Sequence, residues 1–517
     1  MKTKAPKILM ITFYGFEMIG VRILHALLES LGYEVITIFF KDLKPNQMST
    51  PTEKEYQILI DKVLEYSPDL IGMSLMSGSF LVAKETTLRL KKRTNIPIIW
   101  GGVHPTIAPE ECIDNADMVC VGEGEDVLLE LLENIEKGRS ITTVKNIWLK
   151  KKNRVIKNQI RDLIQNLDRI PFPDWTNKNK FYIEDERFVE RNANKAVYVI
   201  STTRGCPFSC TYCGNNAIKS VYRGKGSYLR RRSVENCIKE LRLAKKLFPN
   251  TIIVDFEDDV FTFDHKWIKD FSKQYLRKIK IPFHCLSHPQ LADEKIFLSL
   301  KRAGLAEVKI GVQSGSEFVR QNIYRRYETN QQIRAAADMF HKYKIKVSYD
   351  FILNCPFETE KGKKETLNLI LNLPCPFSIN TYSLVYFPKT ELTELALKKR
   401  LIRESDIDGC SQKTLQQYSL RLDLQSTKED IYWASLIKLA GVSIFPRSVV
   451  RKIYRLTFFK KRPLLLRDIT EFVLKIDYFK GLIGLVIYYL VSKKPQLIAR
   501  YILDRVRFSR LLNIVQI

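Results

Sequence analysis

The stretch Thr203-Arg204-Gly205-Cys206-Pro207-Phe208-Ser209-Cys210-Thr211-Tyr212-Cys213-Gly214-Asn215 follows the apolar run Ala196-Val197-Tyr198-Val199-Ile200. A β-branched run that passes into a Gly/Pro-punctuated segment reads as a strand and its exit loop. Three cysteines lie in that loop at spacing C-x3-C-x2-C. Thiolates are soft donors that select zinc, copper(I) or iron–sulfur clusters. A structural zinc site closes four ligands, commonly from two pairs, and the chain offers no second C-x-x-C pair. Three thiolates on a four-iron cubane leave one iron without a protein ligand. Such an open position can take a substrate or a cofactor.

Outward from this loop, both flanks alternate strand and helix patterns. Upstream, apolar runs at 8–13, 34–40, 70–75, 96–100 and 118–121 alternate with helical periodicity at 21–31, 55–66, 82–94, 110–115 and 127–137. This order predicts a doubly wound, Rossmann-like parallel sheet, which binds ligands outside the carboxyl ends of its strands. Small residues recur at those exits, as in Gly15–Gly20, Ser74–Gly78, Gly101-Gly102 and Gly122–Gly124, and let a bulky ligand approach the backbone. Downstream, strands at 196–200, 251–256, 283–286, 307–312, 346–353 and 378–385 alternate with helices up to about residue 400. Six βα repeats fit an open (β/α)6 partial TIM barrel, with its chemistry at the strands' carboxyl ends.

Cys206-x3-Cys210-x2-Cys213, with Tyr212 just before the last thiol, resembles the signature of radical S-adenosylmethionine (SAM) enzymes. Residues 7–137, above all Gly101-Gly102-Val103-His104-Pro105-Thr106 and Gly122-Glu123-Gly124-Glu125, resemble the cobalamin-binding domain that precedes the radical module in class B radical SAM enzymes. The resemblance implies an α/β chain with a cobalamin (B12)-binding domain at 1–145, a linker at 146–194, a radical SAM core at 195–400 and a basic α-helical region at 401–517. It implies a [4Fe-4S] cluster on Cys206, Cys210 and Cys213. SAM contacts would come from Tyr212, Glu257, Asp258, Ser314, Ile352 and Asn354. Cobalamin contacts would come from Glu17, Gly20, Ser74, Gly101, Gly102, His104, Gly122 and Glu123. No residue beyond the cluster ligands is assigned a catalytic role. The implied reaction is reductive cleavage of SAM to a 5′-deoxyadenosyl radical, followed by methylation of an unactivated carbon through methylcobalamin. Radical cyclisation, rearrangement or oxidation without methyl transfer, RNA modification, and a non-catalytic cobalamin sensor are the rivals.

The chain departs from the family pattern in three places. Where classical cobalamin domains carry Asp-x-His-x-x-Gly, it has Gly15-x-Glu17-x-x-Gly20, so no cobalt-ligating histidine stands there. Asn354 and Phe357 replace both glycines of the fifth-strand Gly-x-Pro-Gly-Glu-Thr motif, and Lys389 replaces the glycine of the sixth-strand exit.

Net charge is +27 over 517 residues, and residues 431–517 alone hold 17 Lys/Arg against 4 Asp/Glu. That block reads as a solvated helical face or as a surface for an anionic partner. Arg204, Lys219, Arg223 and Lys225 flank the cysteine loop and can tune a cluster or bind an anion. Helical patterns at 428–439, 447–454, 464–479, 481–491 and 495–508 fill the C-terminal region. The uncharged run 481–492 is shorter than the ~18 residues of a membrane span and reads as a buried helix or an interfacial one. The expected partners are a small-molecule substrate, lipid-like or anionic, and an external one-electron reductant of the flavodoxin or ferredoxin type. Peripheral membrane contact through the basic C-terminal region is a further expectation, and nucleic acid ranks below these. Ten cysteines in a chain this long form no dense disulfide framework, which predicts a reducing, cytoplasmic setting.

Overall fold

The computed structural model describes residues 5–42, 49–151, 154–190, 195–408 and 427–491, the last fourteen by backbone alone. The helix expected at 495–508 lies outside the described residues. The chain forms two compact units, each assembled from separated segments: 1–193 with 204–232 and 385–420, and 194–203 with 233–384 and 421–517.

In the first unit the chain runs β1 (Lys7–Phe13), α1 (Ile19–Ser30), β2 (Glu34–Phe40), α2 (Glu53–Tyr66), β3 (Leu70–Ser74), α3 (Phe80–Lys91) and β4 (Ile98–Gly101). It continues through α4 (Val103–Ile107), α5 (Pro109–Ile113), β5 (Met118–Cys120) and α6 (Glu125–Glu136). Four further strands follow: β6 (Ile147–Lys151), β7 (Arg154–Lys157), β8 (Lys180–Glu184) and β9 (Arg187–Val189). Among the described residues these strands make one sheet of order β7-β6-β5-β4-β3-β1-β2-β8-β9. Its core, β5 to β2, is parallel, with the switch in strand order between β1 and β3. In both β1 and β2 six of seven residues are buried, because helices cover both faces of the sheet.

The stretch 146–194, expected as a linker, instead finishes this sheet. The β6–β7 hairpin pairs antiparallel to β5 at one edge, and β8 pairs parallel to β2 at the other. Ile147, Leu149, Tyr182 and Ile183 are buried there. Added strands with apolar inner residues cover edges that would otherwise present unpaired backbone groups.

In the second unit β10 (Val197–Ile200) is followed in sequence by the short strands β11 (Thr203–Arg204) and β12 (Arg230–Arg231), which bracket the cysteine segment, and helix α7 (Gly214–Val221) lies between them. The repeat resumes with α8 (Val234–Leu247), β13 (Ile253–Phe256), α9 (His265–Lys278), β14 (Phe283–Ser287), α10 (Glu294–Ala303) and β15 (Leu305–Gln313). It ends with α11 (Asn330–Lys342), β16 (Lys346–Leu353), α12 (Glu360–Leu371) and β17 (Ser378–Ser383); α13 (Glu391–Lys398), next in sequence, belongs to the first unit. The sheet of this unit is β10-β13-β14-β15-β16-β17, parallel and in sequence order, as a partial barrel requires. Its helices start where the sequence supplies a cap. Ser233, Asp264, Asp293, Thr329 and Thr359 each accept from the backbone N–H three residues on, each cap contributing about 1 kcal/mol.

Four helices follow: α14 (Lys428–Gly441), α15 (Arg447–Arg455), α16 (Thr457–Lys461) and α17 (Pro463–Val491). The two helices expected at 464–479 and 481–491 are one, since Lys480 and Gly481 do not interrupt the backbone ladder. No helix among the described residues is long and apolar enough to cross a membrane.

Candidate functional site

The cysteine loop belongs to the first unit. Cys210 is buried and Cys206 and Cys213 are half-buried, and none of the three is in a disulfide. Cys213 N–H donates to the Cys210 carbonyl at 3.2 Å, and Cys213 caps α7. The loop is backed by α13, where Leu392 N–H donates to the Thr211 carbonyl at 3.1 Å. Tyr212 is half-buried. Three reduced thiols within eight residues fit a cluster held by three thiolates with one iron left open.

The same unit gathers every expected cobalamin contact at the carboxyl ends of its parallel strands. Glu17 and Gly20 follow β1 and are exposed. Ser74 ends β3, Gly101 and Gly102 leave β4, and Gly122 and Glu123 leave β5. Gly102 has φ +103°, and a Cβ there would stand 2.7 Å from the Leu75 carbonyl oxygen. The β3 and β4 exits therefore close on each other only with glycine at 102, which leaves a side-chain-free ledge that suits a large flat ligand.

His104 does not reach that ledge. It is fully buried in α4, its Nδ1 lies 3.1 Å from Ser77 Oγ, and the Phe80 ring packs edge-on at 4.9 Å. Burial pushes its pKa down to about 4, with Asp408 opposing, so the imidazole is neutral at pH 7. Nε2 has no hydrogen-bond partner among the described residues.

Glu123 and Gly122 fasten the cysteine segment to the sheet. Arg204, two residues before Cys206, donates to Glu123 at 3.0 Å and to Glu125, and Arg230 donates to Glu123 at 2.8 Å. Glu123 N–H donates to Tyr222 Oη at 2.6 Å, and a Cβ on Gly122 would overlap that hydroxyl. Burial alone would raise the Glu125 pKa, but the Arg204 guanidinium outweighs it and holds the carboxyl below its usual range. Ile107 and Ala108, at the end of α4, pack on Ala217 and Ile218 of α7. Of the basic residues expected to tune a cluster, Arg204 is thus committed to an ion-pair bridge, while Lys219 reaches back to Ser209 Oγ at 3.1 Å.

The expected SAM contacts Glu257, Asp258, Ser314, Ile352 and Asn354 belong to the second unit, at the carboxyl ends of β13, β15 and β16. Glu257 is exposed, whereas Asp258 is buried. Asp258 Oδ1 accepts from Thr202 N–H and Oγ1, both at 2.9 Å, and from Thr203 Oγ1 at 2.5 Å. Ser314 is also buried. Its hydroxyl donates to Glu358 Oε1 at 2.9 Å and accepts from Ser316 N–H at 3.0 Å. Burial pushes Glu358 up to about 7, against the Ser314 hydroxyl and Lys363. Ile352 is half-buried and pairs in register with Tyr382. Asn354 has φ +62° and donates to Ser383 Oγ at 3.3 Å. Lys389, in the first unit, has φ +57°. Two of the three replacements of a family glycine, Asn354 and Lys389, therefore sit in the left-handed region, which asparagine tolerates better than most residues.

One group of residues carried no signal recognisable in the sequence alone. Asp350 faces Asn380, whose Nδ2 donates to it at 2.8 Å, and it also bonds Tyr382. Burial raises Asp350 to about 6 against these bonds and Lys309. Lys309, Glu307, His284 and Asp255 act electrostatically along the same row of strands. The one trace was in β15, where Glu307 and Lys309 alternate with Val308 and Ile310.

Comparison with known proteins agrees with this geometry. The B12 binding domain model matches residues 7–132 and the Radical SAM superfamily model residues 200–370, together more than half of the chain. The chain is a B12-binding radical SAM enzyme. Its cofactors are a [4Fe-4S] cluster, SAM and cobalamin, and it works with a small-molecule substrate and an external electron donor. It is 29% identical to the uncharacterized methyltransferase PH0819 of Pyrococcus horikoshii, over 66% of this chain and 72% of that protein. It is 24% identical to the anaerobic magnesium-protoporphyrin IX monomethyl ester cyclase of Rubrivivax gelatinosus, over 64% of this chain; the match spans 58% of the cyclase. Among solved structures, the cobalamin-dependent SAM radical enzyme OxsB with aqua-cobalamin and SAM bound superposes with TM-score 0.62 at 16% identity, covering 95% of this chain and 76% of that one. The methyltransferase TsrM from Kitasatospora setae, with cobalamin and cluster bound, gives 0.61 at 16% identity over 77% and 76%. At that identity the two structures establish the shared fold.

Proposed function

We propose that this enzyme methylates an unactivated carbon of a small molecule that is lipid-like or carries an anionic group. When bound, the cluster and SAM supply a 5′-deoxyadenosyl radical that removes hydrogen from the substrate, and cobalamin supplies the methyl group. Cys206, Cys210 and Cys213 hold the cluster. Glu257, the exposed carboxylate of its triplet, faces the SAM ammonium as a charge-assisted acceptor. Ile352 and Asn354 border the adenine, Tyr212 is a further SAM contact carried by the cysteine segment, and Asp258 and Ser314 hold their loops in shape. Glu17, Gly20, Ser74, Gly101 and Gly102 line the cobalamin ledge, with His104 beneath as a neutral packing residue and Gly122 and Glu123 as its anchor to the cysteine segment. The electron donor is of the flavodoxin or ferredoxin type, in a cytoplasmic setting.

One observation carries this proposal. Within a single unit, Arg204 ties the segment bearing the three thiols to Glu123 and Glu125, on the exit loop of the B12-type sheet. A radical generator built onto a corrinoid ledge serves a reaction that uses both groups. The test is anaerobic reconstitution with cluster, cobalamin and SAM, followed by comparison of metabolite extracts treated with the enzyme or with Cys210→Ala. A product heavier by one CH2, formed with 5′-deoxyadenosine and S-adenosylhomocysteine, is expected. Similarity to the cyclase favours a second possibility, ring closure without methyl transfer. It would be recognised by 5′-deoxyadenosine forming with no S-adenosylhomocysteine and no CH2 gain.

A further inference from the structure

The C-terminal helices carry a surface that the reaction does not use. On α17, Leu465, Ile469, Phe472 and Ile476 recur at i, i+4, i+7 and i+11, which aligns them along one face of a helix. Leu465, Phe472 and Ile476 are exposed, Phe472 at 65%. The other side of the same helix buries Leu466 and Thr470 and packs against α14. Just upstream, Leu456 and Phe458 are exposed as well. Large apolar side chains grouped on one helix face mark a surface that something covers.

The surrounding charge identifies the cover. Residues 447–477 hold nine Lys/Arg and three Asp/Glu, and Lys452, Arg455, Lys461 and Lys475 are exposed around the apolar positions. A second copy of the chain would meet this face with the same face, because a twofold interface is self-complementary. Basic side chains would then oppose basic side chains. An anionic lipid surface meets both demands at once. Acyl chains cover the apolar stripe and acidic headgroups neutralise the rim, the arrangement of a helix lying in the membrane interface. The helix need not span, and no helix among the described residues is long and apolar enough to do so.

We propose that α15–α17 form a peripheral docking surface for an anionic membrane, with Leu465, Phe472 and Ile476 entering the headgroup boundary. This surface is independent of the reaction assigned above, because vesicle binding is measured without cofactors or substrate.

The experiment is co-sedimentation of the full chain with vesicles of phosphatidylcholine alone or with 30% phosphatidylglycerol. Binding to the anionic vesicles is expected to exceed binding to neutral ones at least tenfold and to fall steeply with added salt. Phe472→Glu and the triple change Lys452→Gln, Arg455→Gln and Lys461→Gln should each cut it at least tenfold while leaving the melting temperature unchanged. Equal binding to both vesicle types, or none, overturns the proposal. So does a lower melting temperature in Phe472→Glu, which would mean the chain itself covers the stripe. A wild-type dimer that Phe472→Glu turns into a monomer overturns it in favour of a second copy.

Discussion

The two parallel sheets differ in what their faces enclose. In the first, β1 and β2 are buried almost throughout, and apolar clusters fill both sides. A ligand has only the strand ends to occupy, and those ends carry glycine and backbone. In the second, β14 and β15 alternate buried and half-buried residues. One face buries Val308, Ile310 and Val312, while the other carries Glu307, Lys309, Asp350 and Asn380. A sheet with one polar face keeps a lined interior in which side chains can meet a small substrate. The first sheet is thus a platform and the second a vessel, though both arise from the same βα rhythm.

The sharpest way to separate platform from vessel is Cys210→Ala. It should remove the iron–sulfur absorbance and lower SAM cleavage at least a thousandfold, while cobalamin binding, read by its visible spectrum, stays intact. Loss of both cofactors together would mean that the cobalamin ledge depends on a loaded cluster.

Arg204→Met breaks the bridge that the first unit uses to hold that segment. Arg204 is 26% exposed and its partners Glu123 and Glu125 are 16% and 9% exposed. Leaving the buried Glu125 without its ion-pair partner, and Glu123 with Arg230 alone, should destabilise the unit by about 3 kcal/mol, visible in urea unfolding. The Glu125 pKa is lowered in the fold. Its contribution is therefore present above the ordinary carboxylate value of about 4.3 and is lost as pH falls through the lowered one.

Asp350 tests the vessel with the opposite sign. Its pKa is raised to about 6, so the protonated form is favoured in the fold. Stability should fall as pH rises through 6 and recover toward pH 4. Asp350→Asn should raise the melting temperature at pH 8, by an amount equivalent to about 2 kcal/mol, and leave it unchanged at pH 4.

The smallest effect is at the rim of the vessel. Asn354→Gly should be neutral within about 0.5 kcal/mol, whereas Asn354→Ala should cost about 1 kcal/mol: both lose the bond to Ser383, but glycine adopts the positive φ freely and alanine does not.

Local signals in the sequence carried well. The thiol spacing, the glycines at the first sheet's exits and the cap before each barrel helix depend on neighbours a few residues away, and the two parallel sheets follow from them. Long-range pairing was not legible. Glu123 looked like a ligand contact because nothing near it in sequence names Arg204 or Arg230 as its partners. The segment 146–194 looked like a connector because its strands are short and pair only with the edges of a sheet begun a hundred residues earlier. The triplet Glu257-Asp258-Asp259 was half legible. Strand alternation continues one step past β13, so its middle carboxylate turns inward to Thr202 and Thr203 while its neighbours stay exposed.

The first unit also sets the order in which the molecule can be assembled. Its last segment returns after the whole second sheet has been threaded, and Lys389 meets Glu110 across 279 residues of chain. A ribosome that has released residues 1–193 has made the nine-stranded sheet but neither α7 nor α13, so Ile107 and Ala108 wait without Ala217 and Ile218. Closing so long a loop is entropically slow. During synthesis the cysteine segment is therefore held first through Arg204, Tyr222 and Arg230, and α13 joins it at Thr211 only after the second sheet has been made.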